Sequence, residues 1–142
     1  MDSESTLNQL KAALPAGQLP SSYRVYFKNT LIALCHALED HILKSTAEHA
    51  DQQPLVLVTF QEGKWYLQEA DRYLDIAQQS EHVAVSACAD SGFETHPTGQ
   101  LPNVSLIELD RDDSLVNEWN LIIVAPGYTA MEIGRASCRE RV

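Results

Sequence analysis

Apolar positions along this 142-residue chain fall into alternating helical and strand-like patterns. Between 26 and 45, Phe27, Leu31, Leu34, Leu38 and Ile42 step by three or four residues, and Ala33, Cys35 and Ala37 widen the stripe. That spacing predicts a long amphipathic helix. A second helical pattern runs over 66–79, with Tyr66, Leu67, Ala70, Tyr73, Leu74 and Ala77 on one side. A third is short: Leu7, Leu10 and Leu14 precede Pro15, Gly17 and Pro20, which end it. So few residues make a marginal helix alone, so this segment has to dock on the domain or on a dimer face.

Four runs have strand character. "LVLVTF" (55–60) and "HVAVSACA" (82–89) are almost wholly apolar, as expected of strands buried on both faces. "VSLIEL" (104–109) and "WNLIIVA" (119–125) complete the set. The second helix lies between the first two runs, which predicts a βαβ unit with parallel strands and a right-handed crossover. Residues 61–64 read as a turn, and 90–103, with Gly92, Pro97, Gly99 and Pro102, as a loop. Residues 114–118 read as one helical turn capped by Asp112 or Asp113. The expected fold class is α/β (α+β). It would hold a mixed, mainly parallel sheet of about four strands, two long helices and a short N-terminal helix.

Residues 132–142, "EIGRASCRERV", break the pattern. They add three arginines and a cysteine to an acidic chain and show no apolar periodicity. Read back through the genetic code, they resemble a common adapter of short-read DNA sequencing over nearly their whole length. The segment is therefore expected to be adapter-derived and to lie outside the fold. The expected organisation is a helix and linker over 1–22 and a domain over 23–131 cut short at its C-terminal end. A missing element after Met131 would leave a sheet edge open, which is an association hazard.

Charge narrows the partners. Ten Lys and Arg stand against twenty Asp and Glu, a net charge of −10. Without the segment 132–142, which holds three of the Arg and two of the Glu, it becomes −11. Such a surface repels phosphate backbones and anionic membranes, so no nucleic-acid partner and no membrane insertion are expected. No stretch has the length of a bilayer span, and Met1-Asp2-Ser3-Glu4 lacks the layout of a signal peptide. A cytoplasmic location is the expectation. Cys35 and Cys88 sit in apolar runs with no CxxC spacing, as buried thiols do.

Candidate chemistry is sparse. There is no GxGxxG, no P-loop and no GxSxG elbow. His36, Glu39 and Asp40 share a face of the first helix, and Glu69, Arg72 and Tyr73 share one on the second. Each trio offers a versatile hydrogen-bonding face. The plainer readings are a polar flank, with Asp40 paired to Lys44, and a surface Glu69–Arg72 ion pair. Gln61 ends the first strand, where ligands of parallel sheets bind. Trp65 and Trp119 line a pocket or pack the core. The five histidines are scattered, and no metal-ligand set, cofactor site or catalytic residue is read.

Three segments resemble a known family: "YFKNTLIALCHALEDHIL", "PLVLVTFQEGKWYLQEADRYLDIAQQSEHVAVSA" and "LVNEWNLIIVAPGYTA". In order and spacing they are similar to the DICT domain, in its cyanobacterial branch, a sensory module associated with diguanylate cyclases and two-component systems. The resemblance implies an α+β fold around a four-stranded sheet and a role in signal input, with light among the candidate stimuli. It supplies no catalytic residues. The positions that match the family's pattern, with Phe60, form the candidate sensing set: His36, Glu39, Asp40, Gln61, Tyr66, Glu69, Arg72, Tyr73, Glu118 and Trp119. Buried cysteines and the lack of a phosphate-anchoring loop favour a small-molecule or protein signal over a bound chromophore. The implied partners are that signal, an effector in cis beyond Met131 (a histidine kinase or diguanylate cyclase) and a second copy in a homodimer. Two other readings stay open: a stand-alone interaction domain with a basic partner, and a small metal-assisted enzyme built on His36, Glu39, Asp40 and Arg72.

Overall fold

The computed structural model describes residues 9, 12–13, 28–44, 53–88 and 95–135. Helix α1 is Lys28–Leu43, strand β1 Leu55–Glu62, helix α2 Gly63–Gln78 and strand β2 His82–Cys88. Strands β3 (Val104–Leu109), β4 (Glu118–Ala125) and β5 (Tyr128–Arg135) follow, with 3-10 turns at Pro97–Gln100 and Ser114–Asn117. The strands form one sheet in the order β3-β2-β1-β4-β5. The fold is α+β.

The βαβ unit forms as its sequence predicts: β1 and β2 are parallel, as are β2 and β3. The other two pairings, β1 with β4 and β4 with β5, are antiparallel. The sheet therefore has five strands, not four, and is half parallel rather than mainly so. The fifth strand arises from Pro126-Gly127, which joins β4 to β5 as a two-residue hairpin, with Ala125 opposite Tyr128. Gly127 has φ +81, and no other described residue has a positive φ. Pro followed by a left-handed Gly is the signature of a type II turn. Residues 132–135, set aside in the sequence reading, supply the second half of β5, and Leu121 pairs with Glu132. The edge of β4 is thus covered.

Two further local differences have plain causes. Residues 61–64 make no turn, because β1 runs through Glu62 directly into α2 at Gly63. The run 55–60 is not buried on both faces. Alternation sends Val56, Val58 and Phe60 to the helices, whereas Leu55 and Leu57 remain 44% and 49% exposed on the other side. Both helices cover the same face, so the described residues form two layers and leave the other sheet face open. The short N-terminal helix lies mostly outside the described residues, of which Gln9, Ala12 and Ala13 are helical and exposed.

The core lies between the helices and the covered face, around Tyr66, Tyr73, Ile76, Val83, Val85, Leu121 and Ile123. Segment 96–103 clips α2 in place. Thr98 Oγ1 donates to the Ala70 carbonyl at 2.7 Å, and Asn103 Nδ2 donates to Ala77 O at 2.8 Å and Ser80 O at 3.1 Å. The Asn103 bonds add to the C-terminal turn of α2 and the residues just beyond it, and the Thr98 bond holds the middle of the helix. Asp113, one of the two expected caps, accepts from Leu115 N at 2.9 Å.

Leu121 is fully buried. Leu121→Ala is expected to lower the unfolding free energy by about 2–5 kcal/mol, measured by urea denaturation. The exposed Glu108→Ala should stay within about 0.5 kcal/mol of the parent. At Gly127 an alanine has free space, so only the backbone strain, about 1–2 kcal/mol, should appear.

Candidate functional site

Helices α1 and α2 carry the same polar spacing. His36, Glu39 and Asp40 stand at i, i+3 and i+4 on α1, and Glu69, Arg72 and Tyr73 stand likewise on α2. Such positions share a helix face, and the two faces meet. Arg72 Nε donates to Glu39 Oε1 at 2.8 Å, and its Nη2 donates to Asp40 Oδ1 at 2.8 Å and to the His36 carbonyl at 2.9 Å. Tyr73 OH donates to the second Glu39 oxygen at 2.5 Å, and His36 Nε2 lies 2.9 Å from Glu69 Oε2. Six of the ten candidate residues therefore form one interhelical network.

The network reorients α1. The predicted stripe holds at Cys35 and Ile42, which are buried, and at the partly buried Leu38, but Leu34 is 44% exposed and Glu39 is buried instead. Leaving a leucine half in water costs about 1 kcal/mol. An ionised carboxylate buried without partners would cost far more. Rotation of the helix toward Arg72 and Tyr73 is the favourable compromise.

Beneath Glu39 lies a second, softer layer. Trp119 Nε1 donates to Cys35 Sγ at 3.2 Å, and the Cys35 thiol donates to Glu132 Oε2 at 3.0 Å. The other Glu132 oxygen, Oε1, is buried without a hydrogen-bond partner. Phe60 joins the aromatic residues, with ring centres 5.8 Å from Tyr66 and Tyr73 and 6.0 Å from Trp119. The cavity beside Cys35, His36, Glu39 and Glu69 holds only about 10 Å³, room for one water at most. On the solvent side, Ala37, Asp40, His41 and Lys44 line an open groove of about 410 Å³. Asp40 thus belongs to both the network and the surface.

The remaining candidates lie apart. Tyr66 is fully buried in the core, and Trp119 lines the small cavity beside the network and donates to Cys35. Gln61 sits half-buried at the end of β1. Glu118 is buried and accepts from Asn120 Nδ2 at 3.2 Å. Strand alternation puts that pair on the sheet face opposite Trp119. Of the two readings of the α2 trio, the Glu69–Arg72 ion pair does not form: Glu69 pairs with His36, and Arg72 with Glu39 and Asp40. The expected Asp40–Lys44 contact is present at 4.0 Å. Cys35 and Glu132 were not anticipated. Cys35 is four residues before Glu39, so helical spacing could have placed it there, whereas Glu132 needs the hairpin that brings β5 beneath α1.

Burial sets the protonation chemistry. It raises Glu39 above its ordinary value, against the hydrogen bonds from Tyr73 and Arg72 that pull it down. Asp40 is lowered, chiefly by its hydrogen bond from Arg72. Burial, together with the Glu39 charge, holds the Tyr73 phenol well above its usual range. Burial and Glu132 raise the Cys35 thiol, so it stays protonated and poorly nucleophilic at neutral pH. Burial raises Glu132 as well, partly offset by the Cys35 bond. Among the described residues, no group of three or more His, Cys, Asp and Glu has the geometry to hold a metal. No helix among them is long and apolar enough to cross a membrane.

Arg72→Ala should cost about 3 kcal/mol near neutral pH, because it strands the buried Glu39 carboxylate. The loss should shrink in acid, where Glu39 takes a proton instead. Glu39→Gln gives the matching pH test. The folded state holds the Glu39 proton more tightly than the unfolded chain does, where the ordinary value is 4.5. Its contribution is therefore full below pH 4.5 and declines as pH rises through the raised folded value. The stability of the parent relative to Glu39→Gln should fall over that window in urea titrations at stepped pH.

A search of the curated proteins and of the solved structures found no match. A family model described as DICT, the sensory domain in diguanylate cyclases and two-component systems, matches residues 4–136, nearly the whole sequence. The chain belongs to the DICT domain family.

Proposed function

We propose that this chain is the signal-input part of a bacterial signalling protein and that the Arg72 network between α1 and α2 is where the signal is read. The family's sensory role supplies the class of function. The observation that carries the site is the paired, partly buried charge cluster joining two helices. Arg72 spans Glu39, Asp40 and the His36 carbonyl, and every member has a partner within the network.

The cluster supports sensing better than turnover. Each carboxylate is engaged by a neighbour rather than presented to a substrate, and the adjoining cavity admits no more than a water. A ligand in the surface groove can reach Asp40 and compete for Arg72. Releasing Asp40 would loosen α1 from α2 and pass a change in helix packing toward an effector in cis, a histidine kinase or diguanylate cyclase. The ligand is a small polar molecule in this reading. A basic protein partner is the second reading, favoured by the net charge of −10. The cytoplasmic location, the cyanobacterial source and the adapter origin of 132–142 belong to the same proposal. Sequencing the gene through codon 131 tests the last of these.

The site is testable without knowing the effector. A thermal-shift screen of polar metabolites should find compounds that stabilise the parent but not Asp40→Asn, which keeps the buried Glu39–Arg72 pair. Hits that stabilise both equally would place recognition elsewhere.

A further inference from the structure

Five of the six large exposed apolar side chains share one surface. Leu55, Leu57, Ile107, Val124 and Met131 are each 44–50% exposed. The registers put them all on the sheet face away from the helices: Leu57 opposes Ile122, which opposes Met131, and Leu55 opposes Val124, whereas Ile107 stands apart on β3 opposite Ser86. Isolated exposed leucines need no explanation, but a contiguous apolar sheet face marks a surface that something covers.

We propose that the N-terminal segment of the same chain, through Leu7, Leu10 and Leu14, docks on this face as a third layer. Four observations select it. First, Gln9, Ala12 and Ala13 are helical and exposed. At 100° per residue, a helix continued through this segment would carry Leu7, Leu10 and Leu14 on the opposite side. Second, the reach is sufficient. α1 starts at the sheet edge, where a methyl group added at Gly134 of β5 would meet the Leu31 side chain at 3.8 Å. Residues 15–27 extend to about 45 Å, more than the ~20 Å width of five strands. Third, the family match begins at residue 4, so the segment is part of the domain rather than an appendage.

Fourth, the area suits a helix better than a second copy. Five strands about 4.8 Å apart and some 20 Å long present roughly 400 Å². Two such faces together bury about 800 Å², short of the ~1,200 Å² of a stable interface. They would also bring together two chains of net charge −10. A helix about 10 Å wide and three turns long fits over Leu55, Leu57, Ile122 and Val124. The tether makes its docking intramolecular and independent of concentration.

Cysteine cross-linking in the full chain tests this. With Cys138→Ser as background, Leu10→Cys/Leu57→Cys should form an intramolecular disulfide under mild oxidation, at a rate independent of protein concentration. Leu10→Cys/Asp71→Cys, with the second thiol on the exposed outer face of α2, should link at least tenfold more slowly. Equal linking at both positions, only intermolecular links through Leu57→Cys, or no link would overturn the proposal. The second of these would assign the face to another copy. If the double variant does not fold, Leu10→Asp decides: a several-fold rise in binding of an apolar dye is expected, and no rise overturns the assignment.

Discussion

The guanidinium of Arg72 is the constraint around which this domain is arranged. One side chain on α2 engages the Glu39 and Asp40 carboxylates and a backbone carbonyl, all on α1. It is only a quarter exposed, and Glu39 is almost wholly buried. Charges in that position are tolerated only when their hydrogen bonds are complete. The geometry of Arg72 therefore dictates the rotation of α1, the exposure of Leu34 and the placement of Tyr73 beneath the Glu39 carboxylate. Conversely, any event that removes one partner disturbs the packing of both helices at once. That sensitivity is what an input module requires of its site.

The protein uses two kinds of cohesion. Aromatic and β-branched side chains fix α2 to the sheet through Phe60, Tyr66 and Ile76, with Thr98 and Asn103 clipping the helix from outside. α1 is held differently. Its buried line mixes a thiol and a carboxylate with an isoleucine, while Ile32, Leu38 and Leu43 pack only partly buried against the core, and its attachments to β5 run through Cys35–Glu132, Tyr128–Leu38 and the His41–Tyr128 stack. A helix secured by polar contacts responds to charge, whereas one secured by apolar area does not. The asymmetry makes α1 the element that moves in the proposed mechanism and α2 the element that stays.

Much of this was legible in the sequence, for identifiable reasons. Strands β1 to β4 announced themselves through short runs of Val, Ile and Leu, and α2 through a strict helical stripe that the structure buries at Tyr66, Ala70, Tyr73 and Ala77. The two polar trios were visible because i, i+3, i+4 spacing survives without any partner in view. Their pairing was not visible. Which carboxylate Arg72 chooses depends on the rotation of α1, and an apolar count gives the wrong rotation because it leaves the buried Glu39 out. The hairpin into β5 was hidden for another reason. A polar, arginine-bearing stretch does not read as a strand, yet Gly127 turns the chain back and backbone pairing with β4 is enough. The open sheet face was misread because near-continuous apolar runs suggest burial on both sides, and only the count of covering layers corrects that.

Amide hydrogen exchange on the parent and on Arg72→Ala is the most direct measurement of whether the Arg72 network governs α1. Protection is expected to fall selectively in 28–43 while β1, β2 and β4 keep theirs. A loss spread evenly over helices and strands would make the network a contributor to global stability only. Unchanged protection in α1 would contradict the account outright.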